Sequence, residues 1–131
     1  MDENPLFSLL LDASEVAQER LAAVLGDVLG IDTSSGRIWL KPPFGRLSTR
    51  KRVLAYLLGR KAAMLLEKID AETVLPKEIA RETGMPSGTV NPKLRELLED
   101  NLVSQTDSSE YYVAAHQLHN AIDELEEAKD D

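Results

Sequence analysis

The sequence predicts a mainly α-helical fold with a small antiparallel β element, an α+β chain, from three observations. Residues 78 to 98, EIARETGMPSGTVNPKLRELL, space Ile79, Ala80, Met85, Val90, Leu94, Leu97 and Leu98 as two short helices folded around a tight turn must. Between the two groups sits Gly84, which can take φ > 0 where the first helix ends. Two longer stretches, 12 to 29 and 48 to 68, repeat apolar residues with a helical period. Leu102 to Thr106 and the aromatic, β-branched run Tyr111 to Val113 read as two short strands joined by the polar turn Asp107, Ser108, Ser109.

Each element follows from its residues. From Asp12 to Leu29, Ala13, Val16, Ala17, Leu21, Val24, Leu25 and Val28 form one apolar face, with Gly30 placed to cap the helix. Ile31 to Gly36 is a polar loop, and Arg37 to Lys41 reads as a brief strand ended by Pro42 and Pro43. Ser48 can cap a helix running to about Lys68, apolar over most of its circumference through Val53, Leu54, Tyr56, Leu57, Leu58, Ala62, Met64, Leu65 and Leu66. Such a helix belongs at the centre of the fold. Glu72 to Leu75 reads as a small strand, and Pro76 suits the first helical position because its missing N–H has no partner there anyway. Pro92 lies five residues after the candidate cap Ser87, so the next helix either starts near Thr89 or has a distorted first turn. His116 to Lys129 makes a final helix with Leu118, Ile122 and Leu125 on one stripe and Asp123, Glu124, Glu126 and Glu127 mostly off it.

Through PKEIARETGMPSGTVNPKLRELLEDNLV followed by SSEYYV, the chain resembles the winged helix-turn-helix family, especially the small winged-helix regulators common in archaea. The small Ala80, with Gly84 and Val90, matches the spacing of DNA-reading helix-turn-helix units. The resemblance covers residues 48 to 115. It leaves 1 to 47 as an N-terminal extension suited to dimerisation and 116 to 131 as an acidic C-terminal helix. It implies a DNA-binding protein, a dimeric transcriptional regulator that reads the major groove with the helix near 87 to 100. The same scaffold also serves as a protein-docking module, so an interaction module within a nucleic-acid-related or regulatory assembly is the alternative.

At 131 residues the chain reads as one domain, and 43% apolar with 29% charged residues is an ordinary balance for a folded globule. The absence of Cys excludes disulfides, thiolate zinc sites and cysteine nucleophiles. Leu6, Phe7 and Leu9 to Leu11 form too short a run to span a membrane and follow Asp2 and Glu3 rather than basic residues, so no signal peptide and a cytoplasmic protein are expected.

Net charge is −8, but it is segregated. Arg37 to Lys61 holds eight basic residues and no acid, leaving seven basic against 23 acidic residues elsewhere. Such a segment either offers one face to an anion or pairs internally with the acidic termini. Arg50, Lys51 and Arg52 also sit at a helix N-terminus, where the macrodipole disfavours cations and favours an anion nearby. Arg46, Ser48, Thr49, Arg50, Lys51 and Arg52 are therefore the candidate DNA-backbone contacts. Ser87, Thr89, Asn91, Lys93 and Arg95 are the candidate base-reading residues, because Val90, Leu94, Leu97 and Leu98 must face inward. Ser108 and Ser109 mark the wing tip, which carries no Arg or Lys. Residues 70 to 113 hold nine acids and four basic residues, which motivates the protein-docking alternative through an acidic surface.

Other chemistry finds little support. His116, His119 and Asp123 fall along one helical face, a spacing able to hold a metal that more simply makes a surface histidine pair, so no metal or cofactor is expected. Glu126 and Glu127 belong to a charged run rather than an acid/base pair, and no Gly-rich loop leads into Lys-Ser or Lys-Thr. Trp39, Phe44, Tyr111 and Tyr112 can stack on bases but serve core packing more commonly. No catalytic residue is assigned. The expected partners are double-stranded DNA and a second copy of the chain, the latter through the apolar stripes of the terminal helices.

Overall fold

One long helix is apolar on nearly every side, and the rest of the chain folds around it. The computed structural model describes residues 13–127. Its elements are α1 (Ala13–Leu25), β1 (Leu29–Ile31), β2 (Ile38–Leu40), α2 (Thr49–Leu65), α3 (Pro76–Thr83), α4 (Ser87–Glu99), β3 (Ser104–Gln105), β4 (Tyr111–Tyr112) and α5 (Leu118–Glu126). Short 3-10 helices at Pro42–Arg46 and Ala115–Gln117 lead into α2 and α5. The fold is thus mainly helical, with two small two-stranded antiparallel sheets, β1–β2 and β3–β4.

Every residue of α2 from Val53 to Gly59 is buried, and helices α1, α3, α4 and α5 all pack on it. Leu54, Leu57 and Leu58 are at most 1% exposed, each worth about 1.5–3 kcal/mol of transfer free energy. The β1–β2 hairpin reaches α2 at Gly59, where an added Cβ would lie 3.1 Å from Leu29 Cδ2 and 3.2 Å from Ile38 Cδ1. A side chain there would require the ends of Leu29 and Ile38 to give by a few tenths of an ångström.

Local chemistry sets the ends of the elements. Ser48 Oγ accepts from the Lys51 N–H at 3.2 Å and starts α2. Pro76 opens α3, the Glu78 carboxylate accepts from the Leu75 N–H at 2.9 Å, and Gly84 closes the helix with φ 76°. Helices α2 and α4 end alike: Glu67 and Asn101 both take φ 61°, while the N–H groups of Lys68 and Leu102 return to the carbonyls of Ala63 and Leu97 at 2.9 Å. These are Schellman endings without glycine. Val74 bridges Tyr111 by two backbone hydrogen bonds and ties the approach to α3 onto the β3–β4 hairpin.

Several expectations change. The first helix stops at Leu25 rather than Leu29, and Gly30 lies inside β1, where it pairs with Trp39. The buried Val28 and Leu29 are better covered by hairpin pairing against α2 than by another helical turn. Ser87 is the first residue of α4, Pro86 precedes it as the cap, and the helix runs on through Pro92. Pro92 is exposed near the helix start, so the one ladder bond it forgoes faces solvent. The expected strand at Glu72 to Leu75 shrinks to the Val74 bridge. The apolar stripes of α1 and α5 pack on each other and on α2 in one hydrophobic core, so they do not call for a second copy. The run Leu6 to Leu11, the helix start at Asp12, the side chains of Ala13 and Val16, and Lys129 lie outside the described residues.

Buried Gln117 joins three of these pieces. Its Oε1 accepts from Ser104 Oγ at 2.9 Å and the Ala114 N–H at 3.0 Å, while its Nε2 donates to Asn101 Oδ1 at 3.1 Å and the Val103 carbonyl at 3.0 Å. All four hydrogen-bonding positions of the amide are used, so the end of α4, strand β3 and the start of α5 share one anchor.

Candidate nucleic-acid interface

Helix α4 buries Val90, Leu94 and Leu97 and turns the opposite side to solvent. The proposed base-reading residues divide between two faces. Ser87, Asn91 and Arg95 are exposed at a four-residue spacing and form one outward stripe. Thr89 and Lys93 are half-buried, and the Lys93 ammonium is taken by Glu96 Oε2 at 3.1 Å.

The basic segment is largely consumed within the chain. Arg50 Nε donates to Glu124 Oε2 at 2.7 Å, its Nη2 lies 2.8 Å from Asp100 Oδ2, and its Nη1 lies 3.6 Å from Glu96 Oε1. Hydrogen bonding to Glu124 first, and then to Asp100, holds its guanidinium even more firmly protonated than an ordinary arginine, against the opposing effect of burial. The anion that cations at the start of α2 call for is therefore supplied by α4 and α5. Lys51 Nζ reaches the Glu127 carbonyl, and Ser48 is spent on its cap. Arg52 spans the carbonyls of Leu47 and Gly45 at 3.0 Å each. Thr49 is half-buried, whereas Arg46 stays exposed at the end of the 3-10 helix. Further along α2, Arg60 Nη2 donates to the Ala71 carbonyl at 3.0 Å. Buried Lys61 sits 3.0 Å from Glu72 Oε2, with which it hydrogen-bonds, and 2.9 Å from Oε1, which is left without a hydrogen bond.

The β3–β4 turn is organised by Thr106, whose hydroxyl accepts from the N–H groups of Ser108 and Glu110 at 3.2 and 3.1 Å. Ser108 and Ser109 are exposed, and Ser109 takes φ 64°. Their neighbours Asp107 and Glu110 make the tip anionic.

Of His116, His119 and Asp123, the first lies in the 3-10 helix before α5 rather than on one helical face with the others, and the two on α5 meet an arginine of α1. Arg20 of α1 meets His119 Nδ1 at 3.0 Å, Asp123 Oδ1 at 2.6 Å and Glu126 Oε1 at 2.8 Å, clamping α1 to α5. No group of metal-ligating side chains occurs among the described residues. Of the aromatic residues, Phe44 is buried, Tyr111 and Tyr112 are half-buried, and Trp39 is 63% exposed. No helix among the described residues is long and apolar enough to cross a membrane.

Composition and periodicity do not disclose a polar cavity of about 200 Å³ where the turn before β2 meets α2 and α3. Tyr56, which the helical pattern marks only as apolar, lines it together with Arg37, Arg60, Arg81 and Glu82. Burial pushes the Tyr56 phenol above its ordinary value; Arg60 opposes that shift, and Glu82 and Glu78 reinforce it. Tyr56 is therefore a hydrogen-bond donor at neutral pH. The chain matches no family model, and no curated protein sequence or solved structure is similar to it.

Proposed function

We infer that the chain is a winged-helix DNA-binding protein of regulatory type, with α4 as its reading helix. The observation that carries this is the outward stripe Ser87, Asn91 and Arg95, on a helix whose other face is locked into the core behind the left-handed Gly84 turn. Asn can meet adenine through paired hydrogen bonds and Ser is permissive, so the stripe has the chemistry of major-groove contact, while Arg95, expected from the sequence to read bases, is assigned here to the phosphates. The phosphate contacts are reassigned. Arg50 serves the fold, and the grip falls to Arg95 with exposed Arg46 and Lys77. With the α1 and α5 stripes buried within the chain, a single protomer carries the whole reading surface.

The second reading is a docking module for a protein partner, favoured by the internal use of Arg50, Lys51, Arg60 and Lys61 and by the anionic β3–β4 turn. A salt titration on random duplex DNA separates the two. With about three phosphates neutralised, log K should fall against log salt with a slope of about −3, and Arg95→Ala should flatten it by about one. Asn91→Ala should weaken binding to a selected site without changing that slope. Absence of duplex binding at low salt would reject the DNA reading and leave the docking module.

A further inference from the structure

We propose that the cavity between the turn before β2, the middle of α2 and helix α3 binds a small organic oxyanion, a carboxylate or a phosphate ester. The site is independent of the DNA reading. Tyr56 is 3% exposed, and its hydroxyl has no hydrogen bond among the described residues. The hydroxyl is not one of the atoms buried without a partner, so it opens onto the cavity that Tyr56 lines and is free to donate to an acceptor entering there.

The arginines show the same surplus of donors. Arg60 Nε is buried without a partner, while its Nη2 is committed to the backbone carbonyl of Ala71. Arg37 Nε and Arg81 Nε both approach Glu82, but only at 3.7 and 3.6 Å, longer than a hydrogen bond. Glu78, the other carboxylate on the cavity wall, already accepts from the Leu75 N–H. Three guanidinium groups thus face two carboxylates, one of them partly spent.

An oxyanion entering here takes donors from Arg37 and Arg81 in the planar geometry guanidinium prefers, and the Tyr56 hydroxyl supplies a third. A volume of about 200 Å³ is below that of drug-sized pockets, typically ~300–1,000 Å³, so the ligand is compact. Arg37 precedes β2 and Arg81 belongs to α3, so occupancy would join the hairpin to the helix that packs on α4.

The test titrates the full chain with sodium phosphate and, separately, sodium malonate, against sodium chloride at matched ionic strength. Amide resonances of residues 35 to 38 and 78 to 82 are followed by NMR. The expected result is saturable, localised shifts with a Kd of about 1 mM or tighter for at least one probe, weakened about tenfold by Tyr56→Phe and by Arg81→Gln. Both variants should keep the fold, since the first removes only an unpaired hydroxyl and the second alters a side chain that is 66% exposed. Saturation by phosphate alone names a phosphate ester, and saturation by malonate alone a carboxylate. Lack of saturation by either, or equal affinity in wild type and both variants, would overturn the proposal.

Discussion

Replacing Arg50 by Met removes a charge but keeps the aliphatic stem, so it separates the clamp from packing. Two contacts of the guanidinium have hydrogen-bond length, at 2.7 Å to Glu124 and 2.8 Å to Asp100. Glu124 is only 21% exposed, so that bond contributes about 1.5–3 kcal/mol. Asp100 is 56% exposed, so solvent screening reduces its share to about 0.5–1 kcal/mol. Glu96, at 3.6 Å and already paired with Lys93, adds little as a contact, while Glu124 and Asp100 lose the cation they share. The expected loss is about 3 kcal/mol, or roughly 10 °C in Tm for a domain of this size. Urea unfolding followed by far-ultraviolet circular dichroism should show a lower midpoint at unchanged m. A double-mutant cycle with Glu124→Gln should give a coupling above about 1 kcal/mol. A loss below about 1 kcal/mol, accompanied by weaker duplex binding from a fully folded variant, would show that Arg50 belongs to a phosphate surface and that the clamp was misjudged.

Four further outcomes are expected. Gln117→Leu strands the buried Val103 carbonyl and Ala114 N–H, and should cost about 2–4 kcal/mol in the same urea assay. Gly36→Ala should cost about 2–3 kcal/mol, because φ is +76° and the new Cβ would lie 2.7 Å from both Ile69 Cγ2 and the Lys68 carbonyl. Glu67→Gly should add about 0.5–1 kcal/mol, since φ 61° at the end of α2 suits glycine; a fall in midpoint would contradict the assignment of that ending. Burial raises the folded-state value of Tyr56 above its ordinary 10.0, so the unfolded chain loses this proton first and stability drops as pH rises past that value. Tyr56→Phe should reduce the drop between about pH 9 and about pH 11, and identical drops in both proteins would refute the assignment.

Where a feature depends on one residue's own conformation or on a regular local period, it could be read directly. Pro76 and Gly84 frame α3, Ser48 starts α2, and the 3.6-residue spacing of Val90, Leu94 and Leu97 gives α4 its buried face. The helix ends without glycine were harder to see. Glu67 carries no sign of its left-handed φ, so α2 read as continuing to about Lys68. The first helix likewise overran, because Val28 fits its period equally well before pairing with β2 is known.

The candidate site was less legible than the fold, for the same reason. An unbroken run of cations is visible in a chain, but the partner of each cation is not. Arg50 finds Glu124 across 74 positions, and Arg20 finds Asp123 across 103. By itself, the order of residues determined that this protein has a buried central helix, two helices around a glycine turn and a short hairpin after them, because backbone preference and hydrophobic period act over a few neighbours. Only the tertiary structure decided that the basic segment is mostly neutralised internally, that α4 shows Ser87, Asn91 and Arg95 but not Lys93, and that Tyr56 borders a polar cavity. Electrostatic and hydrogen-bond partners are set by distance in space, which local sequence does not encode.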